Sequence, residues 1–222
     1  MVKCDKSPIA PASLEIEKAK GNSGSYRNDD VVKQLKTDFH DKCYICELKG
    51  LQDPEIEHLT PHKGNLDLKF DWNNLFWSCG HCNSIKNQRK YDGNIINCCQ
   101  EDPEKHIKCE YKDRQVSITA LDKEPTSRLT AELIYEVFNL KNTGMRINKS
   151  EYRFKALQKE MNIFYNELQN YEEHKTTMNK RRVMVRLKRD AAFAAFKRTY
   201  IRNNTNMLNS KMLSVYNPSL RR

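Results

Sequence analysis

The feature that most constrains the fold of this chain is a pair of Cys-x-x-Cys motifs, formed by Cys43 with Cys46 and by Cys79 with Cys82. A tight turn at each motif directs two thiolates at one ion, and tetrahedral zinc accepts four sulfur ligands. Disulfide bonds are the alternative, but the opening sequence MVKCDKSPIAPASLE has no apolar stretch typical of a secretory signal. We therefore expect a cytoplasmic protein with one structural Zn²⁺ site, which supplies on the order of 10 kcal/mol of folding free energy.

Polar residues suited to catalysis lie between the two motifs and directly after the second. They are the adjacent pair Glu57 and His58, Asn74 before a leucine, and Asn83 next to the last cysteine. Taken singly, each has an ordinary explanation as a solvated strand end, a helix cap or a turn residue. Their order, in a segment whose ends one metal ion fixes, favours a rigid catalytic site.

This order of residues resembles that of the HNH nucleases, which have a ββα-metal fold that zinc staples in some members. In that family a carboxylate-His pair ends the first strand of a hairpin, and an Asn-Leu pair precedes the second Cys pair. A His or Asn follows the last cysteine. Glu57-His58, Asn74-Leu75 and Asn83 match these positions, as an H-N-N variant. The resemblance implies hydrolysis of phosphodiester bonds.

The resemblance also implies a role for each matching residue. His58 would be the general base, because an imidazole with an ordinary pKa of about 6.5 accepts a proton at neutral pH. Glu57 and Asn83 would bind one catalytic divalent ion, Mg²⁺ or Mn²⁺, through oxygen atoms. Asn74 would orient the imidazole. Lys86, one helical turn after Asn83, would contact a phosphate group as a point charge.

Two further histidines, His62 and His81, compete with His58 for the role of the essential base. His62 follows His58 on the same loop, and His81 lies inside the second Cys pair. Neighbouring residues of a regular strand point to opposite faces, so Glu57 and His58 can act together only where the strand ends. Pro61, which cannot donate to a strand ladder, predicts such an end.

The spacing of apolar residues separates a metal-binding part of the chain from a helical part. We expect irregular structure at 87–111, a strand at 115–121, a helix that starts at Ser127 or Thr130, and a turn at 142–144. Asn148 and Glu151 predict a capped helix start, and a second helix is expected at about 178–202.

The predicted fold is α+β, with a zinc-stapled ββα-metal HNH core embedded in a mainly α-helical protein that has a long C-terminal helical hairpin. The expected domains are an N-terminal connector (1–27), an HNH nuclease domain (28–111), a helical domain for partner or nucleic-acid binding (112–202) and a basic tail (203–222).

The net charge of +10 is concentrated at the C-terminal end, where residues 175–222 contain thirteen Lys or Arg and a single acid, Asp190. Such a charge density attracts the phosphate backbone of nucleic acid without selecting a sequence. A solvated helix face and a docking surface for an acidic partner are alternatives. The residues expected to bind nucleic acid are Lys86, Arg181, Arg182, Arg186, Lys188 and Arg189.

Four cysteines lie outside the zinc motifs: Cys4, Cys98, Cys99 and Cys109. The last three are near one another in sequence, but their spacing matches no zinc pattern, so free thiols are favoured over a second metal site. The longest wholly apolar run, 191–196, is too short to cross a bilayer, and we expect no membrane association.

Four runs extend the resemblance to the HNH nuclease subunit of Septu-type anti-phage systems, including those attached to retrons. They are DFHDKCYICELK, IEHLTPHKGN, LKFDWNNLFWSCGHCNSIKN and IINCCQEDPEKHI, and they cover residues 30–110. The resemblance implies antiviral defence, an ABC-type ATPase partner (PtuA-like) and, in retron systems, a reverse transcriptase with its DNA-RNA product. DNA is the favoured substrate, with tRNA or other RNA as the rival. A non-catalytic zinc-stapled binding or scaffolding module is the alternative.

Overall fold

The computed structural model describes residues 1–139 and 144–204. Its helices and strands are α1 (Ser13–Ala19), α2 (Asp29–Asp38), β1 (Pro54–His58), α3 (Leu66–Phe70), β2 (Leu75–Cys79), α4 (Gly80–Lys86), β3 (Ile107–Lys112), β4 (Gln115–Ala120), α5 (Pro125–Asn139), α6 (Gly144–Glu173), α7 (Thr177–Arg186) and α8 (Ala194–Asn203). The expected basic tail beyond residue 204, and residues 142 and 143 of the expected turn, lie outside the described residues.

The antiparallel pair of β1 and β2 positions the candidate site. Its register places His58, the last residue of β1, opposite Leu75, the first residue of β2. The pair Glu57 and His58 therefore lies at a strand end, as expected. All of β2 is buried, and the strand runs directly into α4, so that Cys79 ends the strand and Cys82 lies in the first turn of the helix.

A second antiparallel hairpin joins β3 to β4. The predicted strand at 115–121 is confirmed as β4, but the expectation of irregular structure throughout 87–111 was wrong. Alternate residues of β3 are buried, namely Ile107, Cys109 and Tyr111, and this period of two was the missed signal. The expected domain boundary between 111 and 112 falls inside β3, so it divides a strand that pairs as one unit.

Two predicted helix starts differ from those observed. α5 begins at Pro125 rather than at Ser127 or Thr130, because proline is well accommodated in the first turn of a helix. α6 begins at residue 144, so Asn148 lies inside the helix and the predicted capping box was wrong.

The single helix expected at about 178–202 is two helices, α7 and α8, separated by residues 187–193. Phe193 adopts a left-handed conformation, with φ of 52°. The buried carboxylate of Glu47 then accepts the backbone N–H of Ala194 at 2.8 Å, which satisfies a donor at the start of α8. The second helix of the expected hairpin is therefore interrupted at 187–193. Glu47, which follows the first Cys-x-x-Cys motif, stabilises the interruption through its hydrogen bond to Ala194.

One buried cluster joins the cysteine motifs to the C-terminal helices. On the helical side, Phe138 of α5 packs edge-on against Phe196 of α8, with ring centroids 5.5 Å apart. Phe164 of α6 contacts Tyr200 of α8 in the same way. Within residues 1–139 and 144–204, no helix combines the length and the apolar character that a membrane span requires.

Candidate metal centre and active site

The four cysteines of the two motifs converge on one point. Their sulfur atoms, from Cys43, Cys46, Cys79 and Cys82, all lie within 4.8 Å of one another, and all four residues are buried. The first turn is closed by the backbone N–H of Glu47, which donates to the carbonyl of Cys43 at 2.9 Å. Four buried, unbridged thiols at this separation fit a tetrahedral zinc ion.

The electrostatics of the four-cysteine centre favour the anionic form of one sulfur, that of Cys79. Hydrogen bonds from the thiols of Cys43, Cys46 and Cys82 lower the pKa of Cys79, while burial raises the pKa of Cys46 and of Cys82. Arg153 of α6 also donates from Nη2 to the sulfur of Cys79 at 2.9 Å. This arginine offsets the negative charge of a zinc-thiolate centre, and no sequence pattern identified it.

His58 is held in a defined orientation beside the hairpin. Its Nε2 lies 3.0 Å from the carbonyl oxygen of Lys69, and its ring lies 4.7 Å from that of Tyr26 between centroids. Because a carbonyl only accepts hydrogen bonds, this contact places the proton on Nε2 and leaves Nδ1 as the acceptor. Burial lowers the pKa of His58 to about 4, so the imidazole is neutral at neutral pH.

Asn74 does not touch the ring that it was expected to orient. Its Oδ1 accepts the backbone N–H of Thr60 at 2.8 Å, and its Nδ2 donates to the carbonyls of Thr60 and Leu68 at 2.8 and 2.9 Å. The residue after Leu68 is Lys69, whose carbonyl holds His58. Asn74 therefore fixes the loop whose backbone carbonyl orients the ring, so its orienting role is indirect.

Glu57 and Lys86 form a buried ion pair on the other side of β1. Lys86 Nζ lies 2.5 Å from Glu57 Oε1, and the hydroxyl of Tyr44 donates to Oε2 of the same carboxylate. Lys86 also donates to the backbone carbonyls of His58 and Leu59, at 3.0 and 2.8 Å. Its side chain is 1% exposed, so the expectation that Lys86 contacts a phosphate is contradicted: the lysine neutralises a buried carboxylate instead.

Asn83 and Glu57 are engaged by different partners. The side-chain amide of Asn83 donates to Glu55 Oε2, whereas the carboxylate of Glu57 is engaged by Tyr44 and Lys86. A Mg²⁺ or Mn²⁺ ion requires several oxygen ligands directed at one point. With Lys86 and Tyr44 on both oxygens of Glu57, the expected catalytic divalent ion does not fit beside this carboxylate as it is arranged, and would have to displace Lys86.

The two competing histidines have different surroundings. The ring of His62 is half-buried and lies 4.8 Å from that of His58 between centroids. His81 is buried beneath the helices, where its Nε2 lies 3.1 Å from the carbonyl oxygen of Val137 and 3.3 Å from the hydroxyl of Ser150. Burial lowers the pKa of His81 to about 4. The geometry groups His62 with His58 and assigns His81 to packing.

The basic residues of the C-terminal helices are divided between two places. Arg181, Arg182 and Arg186 line a cavity of about 980 Å³, hereafter the α6–α7 groove, together with three lysines, Lys49, Lys155 and Lys159. Arg181 and Arg182 are exposed, whereas Arg186 is half-buried and lies 3.4 Å from Glu160. Lys188 and Arg189 do not line the groove, and Arg189 pairs with Asp5 at 2.9 Å.

Comparison with known proteins gives partial matches. No protein-family model and no solved structure matches the chain. Septu protein PtuB of Bacillus mycoides (strain KBAB4) is 30% identical over 122 residues, which are 40% of this chain and 41% of that protein. Septu protein PtuB of Bacillus thuringiensis is 30% identical over 114 residues, 46% of this chain and 44% of that protein. The chain thus spans less than half the length of these curated relatives, and over that part it resembles Septu protein PtuB, as its motifs predicted.

Proposed function

We propose that this chain is the nuclease effector of an antiviral defence complex and that it hydrolyses phosphodiester bonds of nucleic acid. The observation that carries the proposal is the imidazole of His58, which is neutral and is held with Nδ1 as its acceptor. A neutral imidazole beside a rigid, zinc-stapled hairpin can remove a proton from water as the water attacks phosphorus. The partial similarity to Septu protein PtuB supports the assignment to anti-phage defence.

The α6–α7 groove is the surface that we propose for contact with the substrate backbone. Arg181 and Arg182 face solvent there, and neither belongs to an ion pair among the described residues. Charges of this kind bind phosphates irrespective of base or sugar, so the groove accommodates DNA, our favoured substrate, as well as tRNA. Its affinity for either will fall with rising salt concentration.

We also propose a complex with a PtuA-like ABC-type ATPase, and in a retron setting with a reverse transcriptase and its DNA-RNA product. The supporting observation is the similarity to a Septu protein. The second candidate function is a non-catalytic binding or scaffolding module. It is favoured by the engagement of both carboxylate oxygens of Glu57, the residue next to His58, with Lys86 and Tyr44.

The test offers plasmid DNA and total tRNA to the protein co-purified with its ATPase. Reactions contain Mg²⁺, Mn²⁺ or EDTA, because the resemblance implies a divalent ion that the arrangement of Glu57 and Asn83 does not fit. Cleavage by the wild type, lost in His58→Ala and kept in His174→Ala, supports the nuclease. His174 is the matched control because it is an exposed histidine between α6 and α7. Phage protection that survives His58→Ala would favour the scaffold.

A further inference from the structure

Three cysteines outside the zinc centre lie together where the N-terminal segment crosses the core. The backbone N–H of Cys4 donates to the carbonyl of Cys98 at 2.9 Å, Cys99 is the next residue along the chain, and the thiol of Cys4 donates to the carbonyl of Val2 at 3.6 Å. The neighbouring thiols of Cys4 and Cys99, followed by burial, raise the pKa of Cys98. Within the described part of the chain, only the zinc cysteines form a group that could hold a metal ion. Cys98 adjoins both other members, Cys4 through the backbone hydrogen bond and Cys99 along the chain, so the three residues form a row centred on Cys98.

The row has one accessible end, and this end is electropositive. Cys4 and Cys98 are buried, whereas Cys99 is half-buried. Lys3 donates from Nζ to the carbonyl of Cys99 at 2.9 Å. The hydrogen bond from the Cys98 thiol, followed by the charges of Lys6 and Lys3, lowers the pKa of Cys99. A partly exposed cysteine beside cations has the surroundings of a reactive thiolate.

We propose that Cys99, Cys98 and Cys4, hereafter the thiol row, form an oxidation site for hydrogen peroxide. The Cys99 thiolate attacks one peroxide oxygen, the O–O bond breaks, and Cys99 becomes a sulfenic acid while the released hydroxide takes a proton and leaves as water. The sulfur of Cys98 then attacks that of Cys99. A disulfide forms, and the sulfenic hydroxyl leaves with the thiol proton as a second water. Two thiols and one peroxide thus give one disulfide and two waters.

The disulfide then moves to the buried end of the row. Consecutive Cα atoms are about 3.8 Å apart, shorter than the usual range of about 4.4–6.8 Å across a disulfide, so the bond between Cys98 and Cys99 is strained. Attack of the Cys4 thiolate on the sulfur of Cys98 breaks the strained bond and forms a Cys4–Cys98 disulfide. Cys99 is released as a thiolate and takes up the proton lost by Cys4.

The segment fastened by this disulfide supports the turn that carries Asn74. Lys6, two residues after Cys4, donates from Nζ to the carbonyls of Trp72 and Leu75, the latter at 2.6 Å. Its ammonium group also lies 3.9 Å from the centroid of the Trp72 ring. Oxidation of the thiol row therefore fixes the segment that positions Lys6. The site itself stands whether or not His58 is a catalytic base.

The experiment treats the zinc-loaded full chain with hydrogen peroxide, blocks the remaining thiols by alkylation and maps disulfides by mass spectrometry, with zinc release followed in parallel. We expect a Cys4–Cys98 disulfide while zinc is retained and Cys109, a buried thiol outside the row, stays reduced. Cys4→Ser should accumulate the Cys98–Cys99 disulfide. Cys99→Ser should slow disulfide formation by about tenfold or more, because it removes the attacking thiolate.

Two outcomes would overturn the proposal. One is oxidation of Cys99→Ser at the wild-type rate. The other is oxidation of the zinc cysteines or Cys109 before the thiol row. Cys109→Ser serves as the folding control, since it also replaces a buried cysteine but should oxidise like the wild type. Reduction with dithiothreitol should restore the free thiols and leave no other mass change.

Discussion

Lys86 and the two exposed arginines of α7 look alike in the sequence, where all three were expected to bind phosphate, but the structure gives them opposite surroundings. Lys86 is buried in the region formed by β1, β2 and α4, hereafter the hairpin region, where it pairs with Glu57. Arg181 and Arg182 face solvent in the α6–α7 groove. The charge of Lys86 is neutralised by Glu57, whereas Arg181 and Arg182 have no ion-pair partner among the described residues. Substitutions in the first region should therefore change stability, and those in the second should change binding.

Removal of zinc should have the largest effect, because the four ligands join the turn at 43–46 to the end of β2 and the start of α4. A structural zinc site contributes on the order of 10 kcal/mol, which is comparable with the whole stability of an ordinary domain. We expect Cys82→Ser, or treatment with a strong chelator, to abolish the cooperative thermal transition seen by circular dichroism. Cys99→Ser, which leaves the four ligands intact, should retain zinc. Full zinc content in purified Cys82→Ser would contradict the assignment of this ligand.

Substitution of Lys86 should have the next largest effect. Lys86→Met leaves the carboxylate of Glu57 buried without its counter-ion, and breaking a buried pair in this way costs about 3–5 kcal/mol. The double variant Lys86→Met with Glu57→Gln should recover most of that loss in urea unfolding. Arg181→Met, the matched change in the groove, should lie within about 0.5 kcal/mol of the wild type. Equal losses for the Lys86 and Arg181 variants would remove the distinction between the two regions.

The Lys86→Met variant also tests whether Glu57 can bind a divalent ion. If the ammonium of Lys86 occupies the charge site that a cation would need, Lys86→Met should bind Mn²⁺ more tightly than the wild type in calorimetric titration. Lys86→Met combined with Asn83→Ala should then lose the added affinity. Unchanged Mn²⁺ affinity in Lys86→Met would mean that neither residue binds the ion. Glu57 would then have a structural role, and Asn83 would only hydrogen-bond Glu55, its observed partner.

Sequence reasoning succeeded where short spacing alone determines geometry. A Cys-x-x-Cys turn directs two sulfurs to one side, and the end of β1 places Glu57 and His58 as expected. It failed where the outcome depends on which side chains neutralise one another across the fold. The pairing of Lys86 with Glu57 joins α4 to β1, and the break at Phe193 depends on Glu47, far away in the sequence. No local pattern encodes either interaction.

The pH dependence of stability should reflect the two buried histidines His58 and His81, and substitution of His58 isolates its share. Burial lowers the folded-state pKa of His58 to about 4, below its usual value of about 6.5 in an unfolded chain. The unfolded chain therefore binds more protons than the folded chain between these two pH values. The contribution of His58 to the free energy of unfolding is fully present above pH 6.5 and is lost as the pH drops toward 4. His58→Gln should reduce this slope in urea titrations across that range, whereas the exposed His174→Gln should not. An unchanged slope in His58→Gln would show that its ring is not desolvated.

The smallest change in stability and the clearest change in binding should come from the groove. Arg181→Ala combined with Arg182→Ala should weaken binding of a fluorescent single-stranded DNA, and the slope of log affinity against log salt should fall by about 0.7 for each phosphate that the variant no longer neutralises. The matched control, Lys188→Ala with Arg189→Ala, removes the same charge outside the groove. Equal effects of the two double variants would mean that net charge alone attracts nucleic acid. A selective effect of the first would mean that the nucleic-acid backbone lies in the groove, where Arg181 and Arg182 are exposed.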